Sequence, residues 1–389
     1  MNGAINRVTF WRVIVLQGTE TFIRTQSDAI SRWSVSTLGF KRFESALSRT
    51  DDVIVHPNRY VAAIALRWFR MTRYSPNLRK SLESLKPALV HAHFGTDAAL
   101  IVPTLRKAHI PLVVSVYGFD VSKKLPETAK GRRDSKRLRE AFDYSSAIIA
   151  NSQFMAESAI GRGADPEKLH VVHLGIVTDP NVQQTPRQRA GILFVGRLVE
   201  KKGVSDLISA VSTLNAGFEN TKLIIVGDGP LRFDLEAQAQ RLGVNAEFVG
   251  SLPPATIKSL MTNALLLAVP SKTAADGDSE GLPTIILEAA NEGLPIVATT
   301  HSGIPEAVKN EITGLLVPEG QPDLLAAALS RLLSDPDFAA ELGAAGKRFI
   351  SDEFDIRICA AKLESIYDRA RSQESEGNRG RMYRTELGR

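Results

Sequence analysis

Two glutamates, Glu280 and Glu288, stand in the part of the chain richest in chemistry, Val269–Ala290 (VPSKTAADGDSEGLPTIILEAA). A β-branched run ends at Pro270, a polar loop follows, and Gly281-Leu282-Pro283 opens a helical stretch. Proline suits a first helical turn, where its missing N–H would be unpaired anyway. Free N–H groups and the positive end of the helix dipole at such a start suit a diphosphate. Glu288, inside that helix, is placed to accept hydrogen bonds from a ribose diol. Acidic residues are favoured at helix starts in any case, so the pair needs a second element to agree with it.

That element is Gly191–Gly203 (GILFVGRLVEKKG), in which a buried strand ends at Gly196 and a loop carries Arg197, Lys201 and Lys202. Arg offers a bidentate fork and Lys a mobile point charge, and both can converge on one anion. Alone, the run would be an ordinary exposed basic turn. Lys222–Pro230 (KLIIVGDGP) adds Gly227 and Gly229, whose lack of a side chain lets backbone approach a ligand closely. The glycines do not form G-x-G-x-x-G with a ribose-binding acid, which argues against a nicotinamide cofactor. No G-x-x-x-x-G-K-[ST] occurs either, so a P-loop is excluded.

Two patterns suggest metals. His91 and His93 share a strand face, but no third ligand cluster accompanies them. Asp276-Gly277-Asp278 falls in the middle of a loop beside basic residues that can replace a cation, so a flexible acidic loop is expected. No metal and no cofactor are expected.

These residues need a scaffold, and the pattern supplies one. Short β-branched runs alternate with amphipathic stretches, the grammar of βαβ units and parallel sheets. Strands are expected at Val8–Leu16, Leu89–His93, Leu112–Val116, Ala147–Ala150 and Leu169–His173. The rhythm restarts at Gly191–Val195, Lys222–Val226, Ala246–Val249, Leu265–Val269 and Pro295–Ala298. The 389 residues, 43% of them hydrophobic, suit two domains. We expect an α/β fold with an N-terminal Rossmann-like domain over 1–180, a linker at 181–190 and a second Rossmann-like domain over 191–370. Its last helix has the option of crossing back, and residues 371–389 read as a disordered tail.

Residues 1–180 carry 26 Lys and Arg against 16 Asp and Glu, and the remainder 22 against 27. The basic half suits an anionic partner, or it is simply a solvated basic face. Its basic run from Lys123 to Arg139 and the stretch Arg67-Trp68-Phe69-Arg70-Met71 could engage anionic lipid. The basic residues lack an interleaved aromatic platform, so no nucleic acid is expected. One cysteine, Cys359, and no spanning or signal-like segment point to a cytoplasmic protein.

Taken together, E-G-L-P-T-I-I-L-E (Glu280–Glu288), F-V-G-R-L-V-E-K-K-G, V-G-D-G-P, F-V-G-S-L and H-S-G-I-P-E resemble the retaining GT-B glycosyltransferases of family 4. The loop A-A-D-G-D-S-E-G-L-P and Thr19–Ile23 (TETFI) look like the bacterial exopolysaccharide branch, such as colanic-acid-type transferases. The resemblance implies two Rossmann-like domains facing each other across a cleft. It implies transfer of a sugar from a nucleotide-sugar donor to a glycan or lipid-linked glycan, with retention of anomeric configuration. Arg197 and Lys202 would hold the donor diphosphate, with backbone contacts from Gly281, Leu282 and Pro283. Glu288 would bind the ribose and Glu280 the transferred sugar. Gly250–Leu252 would lie against the base, and Gly18, Gly196 and Gly229 would line the donor site. Where the family often has histidine in F-H-G-x-D, this chain has Tyr117, in Val116–Asp120, which cannot serve as a base near neutral pH. Tyr117, Asp120, His93 and His173 are candidate sugar or acceptor contacts. A nucleotide-sugar epimerase of the same fold, or a silent nucleotide-sugar-binding protein, is the rival reading.

Overall fold

A computed structural model describes residues 6–16, 20–122, 127–178, 190–214, 217–218 and 220–386, with side chains as far as 372. Contacts divide the chain into two units, residues 1–175 with 356–389, and residues 176–355.

The first unit runs β1 (Arg7–Val15), α1 (Thr21–Ala29), β2 (Ser34–Arg42), β3 (Val53–Ile54), α2 (Arg59–Thr72), α3 (Pro76–Leu85) and β4 (Leu89–His93). It continues α4 (Gly95–Ala108), β5 (Leu112–Val116), α5 (Ala129–Tyr144), β6 (Ala147–Ala150), α6 (Gln153–Gly161) and β7 (Leu169–Val171). The second unit runs β8 (Ile192–Val195), α7 (Val204–Ser212), β9 (Leu223–Val226), α8 (Arg232–Arg241), β10 (Ala246–Gly250), α9 (Pro254–Asn263) and β11 (Leu266–Val269). It closes with α10 (Thr284–Asn291), β12 (Ile296–Thr299), α11 (Ile304–Ala307), β13 (Leu315–Val317), α12 (Pro322–Ser334) and α13 (Pro336–Glu353). The final helix, α14 (Ile356–Glu386), returns to the first unit.

Among the described residues the first sheet has the order β3-β2-β1-β4-β5-β6-β7 and the second β10-β9-β8-β11-β12-β13. The strand pairs within them are parallel. Each sheet reverses its strand order once, between β1 and β4 and between β8 and β11. A crevice opens outside the carboxyl ends of the strands at such a switch point. Parallel strands covered on both faces are withdrawn from water, and β4, β5, β6, β11 and β12 are buried along their whole length.

Two expectations need adjustment. β2 was not expected, because its sequence SVSTLGFKR mixes small polar residues with a glycine. Gly39 is required there, since a Cβ would fall 1.8 Å from Val15 Cγ2 on β1. The stretch expected to be a disordered tail from 371 continues α14 to Glu386. The helix is fixed to the first unit by Glu364, which accepts from the backbone N–H groups of Ser31 (2.9 Å) and Arg32 (2.5 Å). Asp368 accepts from Trp33 Nε1 at 3.0 Å. The expected linker lies almost wholly outside the described residues.

Candidate active site

The second unit brings its charged residues together at the switch point. β8 ends in the loop that carries Arg197, Lys201 and Lys202, and β11 ends in the loop that carries Asp278 and Glu280. Gly203 lets the loops meet: its φ is +66°, and a Cβ would sit 1.8 Å from Pro270 O. Lys272 N–H donates to Lys201 O at 2.8 Å and closes the contact.

Glu280 is the centre of the cluster, its side chain 12% exposed. Lys202 Nζ lies 3.2 Å from its Oε2, and Lys201 Nζ lies 3.5 Å from its Oε1. Burial pushes this carboxyl up, and the ammoniums of Lys202 and Lys201 more than reverse that, holding it below its ordinary range. Glu280 is therefore ionised and acceptor-only, and its buried Oε1 has no hydrogen-bond partner. Lys201 also donates to Asp278 Oδ1 (3.1 Å) and Ser279 O (3.2 Å). Arg197 is exposed and makes no ion pair among the described residues.

The acidic loop is not loose. Ala274 N–H donates to Asp278 O at 3.0 Å and Asp278 N–H to Asp276 Oδ1 at 3.0 Å. Lys272 pairs with Asp206 at 2.9 Å, and Thr273 bonds Glu319 through both its N–H and its hydroxyl. These contacts anchor the loop at Lys272, Thr273 and Asp278.

His301, Ser302 and Glu319 form a clamp that sequence reasoning missed. His301 Nε2 accepts from Glu280 N–H at 3.4 Å, while Nδ1 meets Glu319 Oε2 at 2.5 Å. Burial pushes this imidazole down despite Glu319, so it is neutral, with its proton on Nδ1. Ser302 Oγ donates to Glu280 O and, at 3.1 Å, to Gly281 O. Ser302 itself has φ +54°, a left-handed conformation that a serine holds only under constraint. The H-S-G-I-P-E stretch was the available signal for His301 and Ser302. Glu319 had none, because it arrives from the far end of β13.

Pro283 caps α10 rather than lying inside it, and no side chain caps that end. Leu282 is buried and packs with Ile286 and Leu287. Glu288 is exposed; the protein around its carboxyl pushes its pKa up, opposed by a bond from Thr284. At two of the glycines expected near a ligand, backbone passes close by. A Cβ on Gly227 (φ +130°) would fall 1.9 Å from Gly196 O, and one on Gly229 would fall 2.4 Å from Leu198 O. Gly196 N–H in turn donates to Val226 O at 2.9 Å. Leu252 is half-buried against the core of this unit.

The first unit also concentrates polar groups at its switch point, and they too were missed. Arg12, buried in β1, pairs with Glu20 (2.5 Å) and Asp97 (2.6 Å) and donates to His93 O at 3.2 Å. Its guanidinium stacks over Phe94, 4.4 Å from the ring centroid. Asp97 also accepts from Val13 N–H at 2.8 Å.

His91 and His93 do share a face, their rings 4.3 Å apart. Both nitrogens of His91 are engaged, Nδ1 with Tyr367 Oη (2.6 Å) and Nε2 with Ser115 Oγ (2.7 Å). Burial pushes its pKa down to about 3. His93 Nδ1 meets Tyr117 Oη at 2.7 Å; burial drives that imidazole down and the phenol up, so both are neutral. His93 Nε2 is buried without a partner.

Asp120 is buried. It accepts from the backbone N–H groups of Gly95 (2.9 Å), Gly118 (3.0 Å) and Tyr117 (3.2 Å), pinning the loops after β4 and β5 together. His173 is half-buried just beyond β7. Gly18 lies outside the described residues. Among the described residues no three His, Cys, Asp or Glu side chains gather as metal ligands, and no helix is long and apolar enough to cross a membrane.

The family model described as Glycosyltransferase Family 4 matches residues 17–180, and that described as Glycosyl transferases group 1 matches residues 177–349. The amylovoran biosynthesis glycosyltransferase AmsK of Erwinia amylovora is 31% identical over 327 residues, 78% of each chain. WcaL of Escherichia coli, named for colanic acid biosynthesis, is 29% identical over 71% of this chain and 69% of its own. A GDP-mannose-dependent phosphatidylinositol monomannoside mannosyltransferase of Mycolicibacterium smegmatis is 29% identical over 83% of this chain and 92% of its own. The fold is similar to that of Anabaena HepE, solved in complex with UDP, with TM-score 0.73 and 20% identity over 93% of this chain and 99% of that one. Two parallel α/β sheets of matching strand order, with the motifs of both family models, have one reading: the chain belongs to the GT-B glycosyltransferases of family 4.

Proposed function

We propose that this glycosyltransferase moves a sugar from a nucleoside-diphosphate sugar to a glycan or lipid-linked glycan in exopolysaccharide assembly, with retention and without a metal. The observation that carries the reading is the buried Glu280 carboxylate held between Lys201 and Lys202, beside the uncapped start of α10. The names of AmsK and WcaL support the exopolysaccharide setting. One relative is named for GDP-mannose and one structural neighbour was solved with UDP, which favours a nucleotide-sugar donor and leaves its base open.

In this reading the C1–O bond of the donor breaks, and its electron pair goes to the diphosphate. Exposed Arg197 and the ammonium of Lys202 neutralise that leaving group, and preorganised donors of this kind contribute about 10²–10³ each in rate. Glu280 Oε1, ionised and without a hydrogen bond, takes a hydroxyl of the transferred sugar. Glu288 takes the ribose diol. The acceptor oxygen bonds C1 on the face the diphosphate leaves, and its proton passes to a departing phosphate oxygen. This step needs no enzymic nucleophile. Lys201 already neutralises Asp278, which removes the most evident carboxylate for a cation. The basic first unit lies against an anionic membrane surface on the cytoplasmic side, where a lipid-linked acceptor would be found.

A thermal-shift panel with UDP, GDP, ADP and CMP, each with and without EDTA, tests the donor site. One nucleotide should raise the melting temperature by several degrees, unchanged by EDTA. A shift abolished by EDTA would overturn the metal-free reading, and no shift with any nucleotide would overturn the donor site.

A further inference from the structure

Helix α2 carries apolar residues on the wrong side for a helix that only covers a core. Ala62, Leu66 and Phe69 face inward and are buried. Opposite them, Tyr60, Val61, Ile64, Trp68 and Met71 are exposed, Ile64 by 76% and Trp68 by 60%. At about 100° per residue these five fall on one stripe, roughly 17 Å long. Arg59, Arg67 and Arg70, all exposed, fall along one flank of it. The helix contains no acidic residue. An adjoining surface continues the charge: Arg137 of α5 donates to Arg70 O (2.9 Å) and Met71 O (3.0 Å), and Lys130, Arg132, Arg133 and Lys136 of that helix are exposed or half-exposed.

A contiguous apolar patch of this size on a soluble surface marks a contact site. The surrounding charge selects its occupant. A second copy of the chain, paired helix to helix about a twofold axis, would bring arginine against arginine. An anionic lipid surface satisfies both halves at once: tyrosine and tryptophan suit the headgroup boundary, and arginines reach phosphates while their stems stay among apolar groups.

We propose that the outward face of α2 is a lipid-contact surface. It lies side-on in an anionic bilayer, with Tyr60, Ile64, Trp68 and Met71 below the headgroups and Arg59, Arg67 and Arg70 on lipid phosphates. The proposal rests on the membrane-surface reading above and adds insertion to it.

The chain has three tryptophans, and Trp11 and Trp33 are buried, so a polarity change on binding reports Trp68. The full chain is mixed with vesicles of phosphatidylcholine, with and without about one-third phosphatidylglycerol, and followed by sedimentation and tryptophan emission. Sedimentation with the anionic vesicles, an emission blue shift, and partitioning weakened at least about tenfold by Ile64→Asp are expected. Arg67→Glu with Arg70→Glu should weaken it comparably and keeps the test independent of one variant. Anionic binding with no blue shift and no effect of Ile64→Asp would overturn insertion and leave the electrostatic reading standing. No binding to either vesicle would overturn both, with sugar transfer untouched. Equal binding to neutral vesicles would overturn the role of the arginines. A dimer dispersed by Ile64→Asp, without vesicle binding, would assign the face to a second copy.

Discussion

The two switch points use the same topology and opposite chemistry. Between β1 and β4 the guanidinium of Arg12 is consumed by Glu20, Asp97 and a carbonyl, and the histidines beside it are neutral and mostly paired. Between β8 and β11 capacity is left over: Arg197 is exposed and, among the described residues, without an ion pair, and Glu280 Oε1 has no hydrogen bond, only the ammonium of Lys201 at 3.5 Å. Buried polar groups that are fully paired stiffen a structure, whereas unpaired ones wait for a partner. The first switch point is therefore chiefly a structural joint, whereas the second keeps the unpaired groups on which the proposed donor site rests.

Substitutions can break that contrast. Arg12→Met leaves two buried carboxylates facing one another and should lower the unfolding free energy by about 3–5 kcal/mol in urea denaturation. A loss below about 1 kcal/mol would mean that the first joint is not held by charge. Arg197→Ala should do the reverse. Turnover of a nucleotide-sugar should fall about 10²–10³-fold, while stability moves by no more than about 0.5 kcal/mol. Near-normal turnover would remove Arg197 from the donor site.

Acid should distinguish the units more gradually. His91 has a folded pKa of about 3, below its unfolded 6.5. Above 6.5 its contribution is intact. Below it the unfolded chain binds a proton that the folded chain refuses, so stability falls with pH down to about 3. One such group costs about 1.4 kcal/mol per pH unit. His91→Gln should flatten this limb, and an unchanged pH profile would show that His91 is not what makes the unit acid-labile. The smallest effect should come from Ser302→Ala. Losing its bond to Glu280 O should cost about 1 kcal/mol, read as a several-fold fall in kcat with little change in melting temperature. A change confined to KM would mean that Ser302 does not position Glu280.

The contrast also explains what could be read in advance. Strand-ending loops with charged residues announce themselves in sequence, so β8, β11, Lys202 and Glu280 were legible, as was the alternation of strands and helices. Arg12 was hidden although it falls within the expected strand Val8–Leu16, because its partners Glu20 and Asp97 come from other elements. Asp120 looked like a ligand contact, since nothing local reveals that three backbone N–H groups will surround it. Glu319 reaches His301 only through the pairing of β12 with β13, a non-local fact. Gly227 and Gly229 were legible as positions without room for a side chain, and the backbone of Gly196 and Leu198 lies where a Cβ would fall.

The return of α14 has a consequence for the order in which the protein is made. Tyr367, whose hydroxyl bonds His91, leaves the ribosome only after the 180 residues of the second unit. At about 5–20 residues per second, that is a delay of about 10–40 s during which the first unit lacks its closing helix. Throughout that interval His91 and the apolar surface that will receive Leu363 and Ile366 stay open on the nascent chain. The second unit, being contiguous, can finish first, so the later half of the gene encodes the earlier half to mature.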